Sequence, residues 1–237
     1  MSNRIDATFE KLRSNSEKAF VAYVSAGDPD LDRSLEIMVA LAEAGADILE
    51  LGVPFSDPLA DGVVNQAAAA RALAAGSDSS RVFELIRRFR RHHEVPVVLF
   101  TYLNPVYTYG YSAYHEDAAR AGVDGILLLD LPPDEAAQNC EMADSAGLKQ
   151  IRLIAPTTPP ERIKLLAGQA EGFIYALSRT GVTGAHGGPS AQIGDHVATI
   201  KQHTKVPVCV GFGIATPEQA ALVSSVSDGI VVGSAIV

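Results

Sequence analysis

Eight short apolar runs recur along this chain, each followed by a turn and a helix-like stretch, and that rhythm restricts the fold more than any other feature. The runs occupy residues 20–25, 47–51, 97–102, 125–129, 150–154, 172–177, 208–211 and 229–232. They are mostly apolar throughout rather than alternating, as parallel strands covered on both faces are. Helix-like stretches at 31–44, 82–92, 112–121, 133–146, 160–170, 193–203 and 217–226 separate them. Three junctions share one form: Ala44-Gly45-Ala46-Asp47, Ala121-Gly122-Val123-Asp124 and Ala146-Gly147-Leu148-Lys149. A glycine there accepts the left-handed conformation that closes a helix before the next strand. With no linker or low-complexity segment, the alternation predicts an α/β fold, a single-domain (β/α)8 TIM barrel over residues 1–237. The alternative is an open doubly wound sheet. Ala26-Gly27-Asp28-Pro29, after the first run, lacks the spaced glycines of a dinucleotide site.

The formal net charge of -9 argues against nucleic acid or an anionic membrane as the main partner. A phosphorylated ligand would have to be held by local backbone amides, because the overall field repels it. The N-terminus lacks a signal-peptide core, and no uncharged run approaches the ~18 residues of a membrane span, so a cytoplasmic protein is expected. Cys140 and Cys209 lie in unrelated contexts and are expected to be reduced thiols.

In a barrel, long loops at the strand ends carry the chemistry. The two longest inter-element stretches are residues 53–65 and 178–192. Before the first stands Glu50, an ionisable residue inside an apolar run. Alternation puts Ile48 and Glu50 on one face and Leu49 and Leu51 on the other. With the leucines under the helices, Glu50 points into the barrel near its mouth. Lost solvation would raise its pKa toward neutrality and suit it to moving protons. The competing reading is a structural ion pair with an interior Arg or Lys. Asp61 follows in a loop stiffened by Pro54 and Pro58, where Asp61-Gly62 alone would more commonly mark a turn or helix cap.

A glycine-rich segment, Ala176-Leu177-Ser178-Arg179-Thr180-Gly181-Val182-Thr183-Gly184, leaves the sixth run and has the composition of a lid. His186, flanked by glycines and a proline, reads as a solvated loop residue. Gly211-Phe212-Gly213-Ile214 and Gly233-Ser234-Ala235-Ile236 end the last two runs, where TIM barrels often bind phosphate through backbone N–H groups. No histidine sits at a strand end beside other ligand types, which disfavours a metal-dependent aldolase. Lys149 lies at a strand's entry rather than its exit, so it is poorly placed for a Schiff base. Carbon–carbon cleavage would have to run on carboxyl acid–base chemistry.

Leu49-Glu50-Leu51-Gly52-Val53-Pro54-Phe55-Ser56-Asp57-Pro58-Leu59-Ala60-Asp61-Gly62 closely resembles the signature of tryptophan synthase α chains. The Ala176–Gly184 segment, Gly211-Phe212-Gly213-Ile214 and Gly233-Ser234-Ala235-Ile236-Val237 match it in order and spacing. The similarity runs from about Phe9 to Val237. It implies a lyase that splits indole-3-glycerol phosphate into indole and glyceraldehyde 3-phosphate, with Glu50 as principal acid–base catalyst and Asp61 as its helper. Tyr23, Phe100, Tyr102, Leu127 and Tyr175 would line the indole and glycerol pocket, several of them equally readable as barrel packing. Thr183 would close over the site onto Asp61. Gly184, Phe212, Gly213, Gly233 and Ser234 would hold the phosphate. The resemblance further implies no cofactor and no metal in this chain, and a β chain using pyridoxal phosphate as partner in an α2β2 assembly. Residues near Pro54, Asp57 and Pro58, with Asn104 and Pro132, would face that partner.

Two features depart from the family pattern. Val63-Val64-Asn65-Gln66 replaces a proline and an apolar residue before the glutamine, so geometry just past Asp61 is expected to differ. The chain also stops directly after the eighth run, where family members continue with a short helix at the phosphate and a long outer helix. An incomplete chain lacking the final outer helix is therefore expected. Two other functions remain open: a catalytically weak α-like chain acting mainly as allosteric partner of a β chain, and another phosphate-binding barrel such as an isomerase or synthase. The latter would more naturally need a lysine at a strand end.

Overall fold

The computed structural model describes residues 3–178, 189–211 and 213–237. Strands β1 (Ala19–Ser25), β2 (Ile48–Gly52), β3 (Val97–Thr101), β4 (Gly125–Leu128), β5 (Lys149–Gln150), β6 (Arg152–Ile154), β7 (Ile174–Leu177), β8 (Val208–Gly211) and β9 (Gly229–Val232) form one sheet. All pairs are parallel, and the order is β5-β4-β3-β2-β1-β9-β8-β7-β6. The two edges, β5 and β6, are halves of one segment broken at Ile151. The Ile151 amide still donates to Ile126 of β4 at 3.0 Å, while Arg152–Ile154 pairs with β7. The run expected at 150–154 thus becomes two short strands because its halves pair with different neighbours. That single segment brings the sheet round into a barrel.

The junction aspartates set the register. Asp47, Asp124 and Asp228 each stand just before a strand. Each accepts the backbone N–H at or beside the start of a neighbouring strand: Phe20 at 2.8 Å, Val97 at 2.9 Å and Val208 at 2.8 Å. The glycines before the first two, Gly45 and Gly122, take φ values of 98° and 95°, and Gly147 takes 74°. Helices α2 (Leu31–Glu43), α4 (Ser79–Phe89) and α6 (Tyr111–Ala121) cover Leu49, Leu51, Val97, Leu99 and Ile126. Helices α8 (Pro160–Gly168), α9 (Pro189–Lys201) and α10 (Pro217–Ser224) cover the outer faces of β6 to β8. The outward side chains of β9, Ile230 and Val232, are half-buried.

The interior face forms a separate cluster of Val21, Ile48, Val98, Leu127, Cys209 and Val231. It is sealed at the strands' entry end by helix α1 (Arg4–Ser14), which the strand–helix rhythm did not predict. Ile5, Phe9 and Leu12 are buried against Ala19, Ile151 and Phe173. Asn3 caps α1 by accepting the Ile5 amide at 2.9 Å. Gly125 and Gly172 leave room for Ile5, whose side chain lies 3.0–3.2 Å from where their Cβ atoms would be.

Three further elements differ from expectation. Helix α3 (Val63–Ala74) begins inside the stretch read as a loop to residue 65, because the alanine-rich run after Gly62 strongly favours helix. Helix α5 (Leu103–Tyr109) directly follows β3. The stretch 133–146 opens with a 3-10 turn, Pro133–Glu135, before α7 (Ala137–Ala146). Cys140 is half-buried and Cys209 buried, both unpaired. Among the described residues, no helix is long and apolar enough to cross a membrane.

Candidate active site

At the exit end of the strands the barrel opens into a cavity of about 440 Å³. Glu50 lies in its wall, 1% exposed, between Tyr23 of β1 and Val98 of β3 in the strand register. The alternation read from sequence holds: Ile48 packs in the interior while Leu49 and Leu51 pack under helices. Among the described residues Glu50 forms no ion pair, and its Oε1 has no hydrogen-bond partner. Burial pushes its pKa up to about 8, with the charge of Asp61 adding to the effect. An isolated buried carboxylate is costly, so the group holds its proton at neutral pH.

Asp61 reaches the same cavity from the β2–α3 loop. It is not the cap of α3: Gly62 occupies that position and makes no side-chain cap bond. The Asp61 Oδ2 instead accepts the Tyr102 hydroxyl at 2.8 Å, and that hydroxyl accepts the Ala60 amide at 2.9 Å. Burial raises the Asp61 pKa, while hydrogen bonds from Tyr102 and Asn65 hold it down. The two carboxyls thus live in different surroundings: Glu50 is buried, its Oε1 without a partner among the described residues, and Asp61 is half-buried and hydrogen-bonded. Such an asymmetry lets paired carboxyls take different roles at one site, one protonated and one charged.

Aromatic rings shape the wall beside Glu50. Tyr23 meets Phe100 edge-on at 5.4 Å, and Phe100 lies 6.5 Å from Tyr175. Each tyrosine folds down over a glycine. A Cβ on Gly52 would stand 2.2 Å from the Tyr23 hydroxyl oxygen, and one on Gly211 would stand 2.3 Å from that of Tyr175. Leu129, Leu153, Leu177 and Val231 complete an apolar lining suited to a flat hydrophobic ligand.

Gly213, Ile214 and Ala215 after β8 line the same cavity together with Gly233, Ser234 and Ala235 after β9. Gly213 has φ 77°, a left-handed turn that glycine takes without strain. No Lys or Arg lines the cavity among the described residues. In these two loops, backbone amides and the Ser234 hydroxyl are the donors available to an anion among the described residues.

The cavity brings together Glu50, Asp61, Tyr23, Phe100, Tyr175, Gly213, Gly233 and Ser234. Two expected lining residues stand elsewhere. Leu127 is fully buried in the interior cluster one layer below, and Leu129 lines the cavity in its place. Tyr102 grips Asp61 from outside the lining. Phe212, Thr183, Gly184 and His186 lie outside the described residues. Leu129, Leu153 and Leu177 were readable from strand parity, since each lies two residues beyond an inward position. Asn65 also lines the cavity; the loop reading of residues 53–65 conceals it, because it belongs to helix α3. Among the described residues no group of three or more His, Cys, Asp or Glu side chains is placed to hold a metal ion.

Comparison with known proteins gives one answer. Residues 9–237 match the family model described as tryptophan synthase alpha chain. The chain is 51% identical over 235 residues to the tryptophan synthase alpha chain of Geobacter sulfurreducens, covering 99% of this chain and 89% of that one. It is 49% identical over 231 residues to that of Desulfatibacillum aliphaticivorans, covering 98% and 87%. Among solved structures, tryptophan synthase subunit alpha from Legionella pneumophila str. Paris superposes with TM-score 0.90 at 40% identity, covering 99% of this chain and 87% of that one. A chain of the aminoacrylate-bound tryptophan synthase from M. tuberculosis also gives TM-score 0.90, at 34% identity, covering 99% and 90%. With its eight-unit barrel and paired carboxyls in the mouth, this chain belongs to the tryptophan synthase α chain family.

Proposed function

We propose that this chain is a lyase that cleaves indole-3-glycerol phosphate to indole and glyceraldehyde 3-phosphate in tryptophan biosynthesis. The observation that carries the reading is Glu50: buried, in no ion pair among the described residues, with its pKa pushed up to about 8, in the wall of an apolar cavity that also holds Asp61. A protonated Glu50 gives its proton to indole C3, which turns the ring into an electron sink. Asp61 accepts from the indole N–H and offsets the positive charge that develops there. The side-chain carbon–carbon bond then breaks, its electron pair returning to the ring. The adjacent hydroxyl becomes the aldehyde carbonyl, and its proton returns to the Glu50 carboxylate. Proton count is restored with no other participant.

Tyr23, Phe100 and Tyr175 flank the indole, and Gly213, Gly233 and Ser234 receive the phosphate. Phe212, Gly184 and Thr183 belong to the same roles by family likeness.

The family reading includes a β chain carrying pyridoxal phosphate, in an α2β2 assembly. Apolar side chains at the mouth favour such a partner: Leu59 is 91% exposed, Val63 81% and Tyr107 71%. They stand in the same segments as Pro54, Asp57, Pro58 and Asn104. A cytoplasmic location fits this role. The second reading, a mainly allosteric α-like chain, is disfavoured by the presence of both carboxyls.

The test is indole release from indole-3-glycerol phosphate by this chain alone and with a tryptophan synthase β chain. Slow release that rises strongly with the β chain supports the coupled lyase. No release in either case, from folded protein, refutes it.

A further inference from the structure

Tyr102 belongs by likeness in the substrate pocket, but its geometry assigns it other work. It is 5% exposed, stands outside the cavity lining, and is the residue at which β3 turns into α5. Its hydroxyl donates to Asp61 at 2.8 Å and accepts the Ala60 amide at 2.9 Å, while its ring lies 5.3 Å from that of Phe55. One side chain thus grips the β2–α3 loop at three residues.

We propose that Tyr102 is a positioning residue that fixes the Asp61 carboxylate for the reaction and couples it to the face where the partner docks. The inference rests on the lyase reading above.

Between Pro54 and Gly62 the loop has no helix or strand. Its own backbone bonds are short-range, Leu59 to Asp57 at 2.9 Å and Asp61 to Pro58 at 3.0 Å. Among the described residues two hydrogen bonds tie it to a distant part of the chain, and both meet at the Tyr102 hydroxyl. That hydroxyl already donates one hydrogen bond and accepts another, which leaves it no proton to offer a substrate. Behind it, α5 is anchored by the Leu103 amide donating to Asp130 at 2.6 Å. The same helix carries the exposed Tyr107, and the gripped loop carries the exposed Leu59. A partner that presses on either segment moves Tyr102 and Asp61 together. Phe55, Ala60 and Asp61 cannot shift without breaking contact with this one side chain.

The experiment compares wild type, Tyr102→Phe, Asp61→Asn and the double variant in steady-state cleavage of indole-3-glycerol phosphate. Each is run from pH 5.5 to 9, with and without a β chain. Tyr102→Phe is expected to lower kcat roughly 10- to 100-fold, the usual effect of a misplaced catalytic group, with KM changed less than about threefold. Because the hydroxyl holds the Asp61 pKa down, its loss moves the acid limb of the profile to higher pH. The double variant should be no slower than Asp61→Asn, and activation by the β chain should shrink with binding retained. Multiplicative losses, a raised KM with kcat intact, or undiminished activation would each overturn the proposal. If wild type cleaves no substrate, the lyase reading fails, and limited proteolysis decides the tether by itself. Faster cutting between Phe55 and Leu59 in Tyr102→Phe supports it; equal rates overturn it.

Discussion

Glu50 should be a burden on the fold as well as the centre of its chemistry, and replacing it with glutamine separates the two. Its pKa is about 8 in the folded chain against 4.5 when solvated. The folded state therefore keeps a proton that the unfolded state releases, and stability falls as pH rises between those values. At about 1.4 kcal/mol per pH unit the full interval amounts to about 5 kcal/mol. Below about pH 4.5 both states are protonated and the penalty is absent; above about 8 it is complete. Glutamine cannot ionise, and its unmet amide bonds add an offset that does not depend on pH. Urea unfolding of wild type and Glu50→Gln from pH 5 to 9 should give curves that diverge by up to about 1.4 kcal/mol per unit up to pH 8 and then run parallel. In melting temperature this is about 3–6 °C per pH unit for a chain of this size. Cleavage by the variant should be nearly abolished at every pH, and wild-type kcat should fall as pH climbs through about 8 and the proton donor is lost. Curves that stay parallel across the range would refute a buried, protonated Glu50, and full activity in the variant would remove its catalytic role.

Two other substitutions test the scaffold. Gly211→Ala puts a Cβ 2.3 Å from the Tyr175 hydroxyl oxygen and 2.6 Å from its ring carbon, so the ring must swing into the cavity. Overpacking of this kind costs about 1–3 kcal/mol, and cleavage should drop about tenfold or more, with partial recovery in Gly211→Ala/Tyr175→Leu. Unchanged kinetics in the single variant would mean that the wall yields elsewhere. Asp124→Asn strikes a carboxylate that is 4% exposed and accepts Arg90 at 2.7 Å, Arg4 at 3.0 Å and the Val97 amide at 2.9 Å. Breaking this buried network should destabilise the chain by about 3 kcal/mol in urea, and a loss under 1 kcal/mol would contradict that view.

The barrel was legible because its information is local and repeated. Apolar runs and helix-ending glycines recur eight and three times, and the register aspartates, Asp47 and Asp124, sit in the same four-residue junctions. Glu50 was legible for the opposite reason, as a charge where the pattern demands a hydrophobe. What escaped was set by contacts between distant segments. Nothing near Ile151 says that its strand must serve two neighbours, because closure is a property of the whole sheet. The spacing of Ile5, Phe9 and Leu12 does fit one helical face, yet α1 precedes the first strand and so fell outside the repeat. Leu127 and Leu129 share an inward parity, and depth along the barrel, which parity does not encode, decides which of them meets the cavity. The grip of Tyr102 on Asp61 spans 41 residues and joins two loops whose sequences are silent about each other.

The helix that seals the entry end has a consequence for traffic. With Ile5, Phe9 and Leu12 filling the far end of the bore, the cavity is a cul-de-sac. Arrival and departure therefore both take place at the strands' exit end. Leu59 and Val63 on one segment and Tyr107 on another stand exposed beside that end, so a protein seated on them would govern arrival and departure at once. A released planar, uncharged product would meet that visitor before it met water.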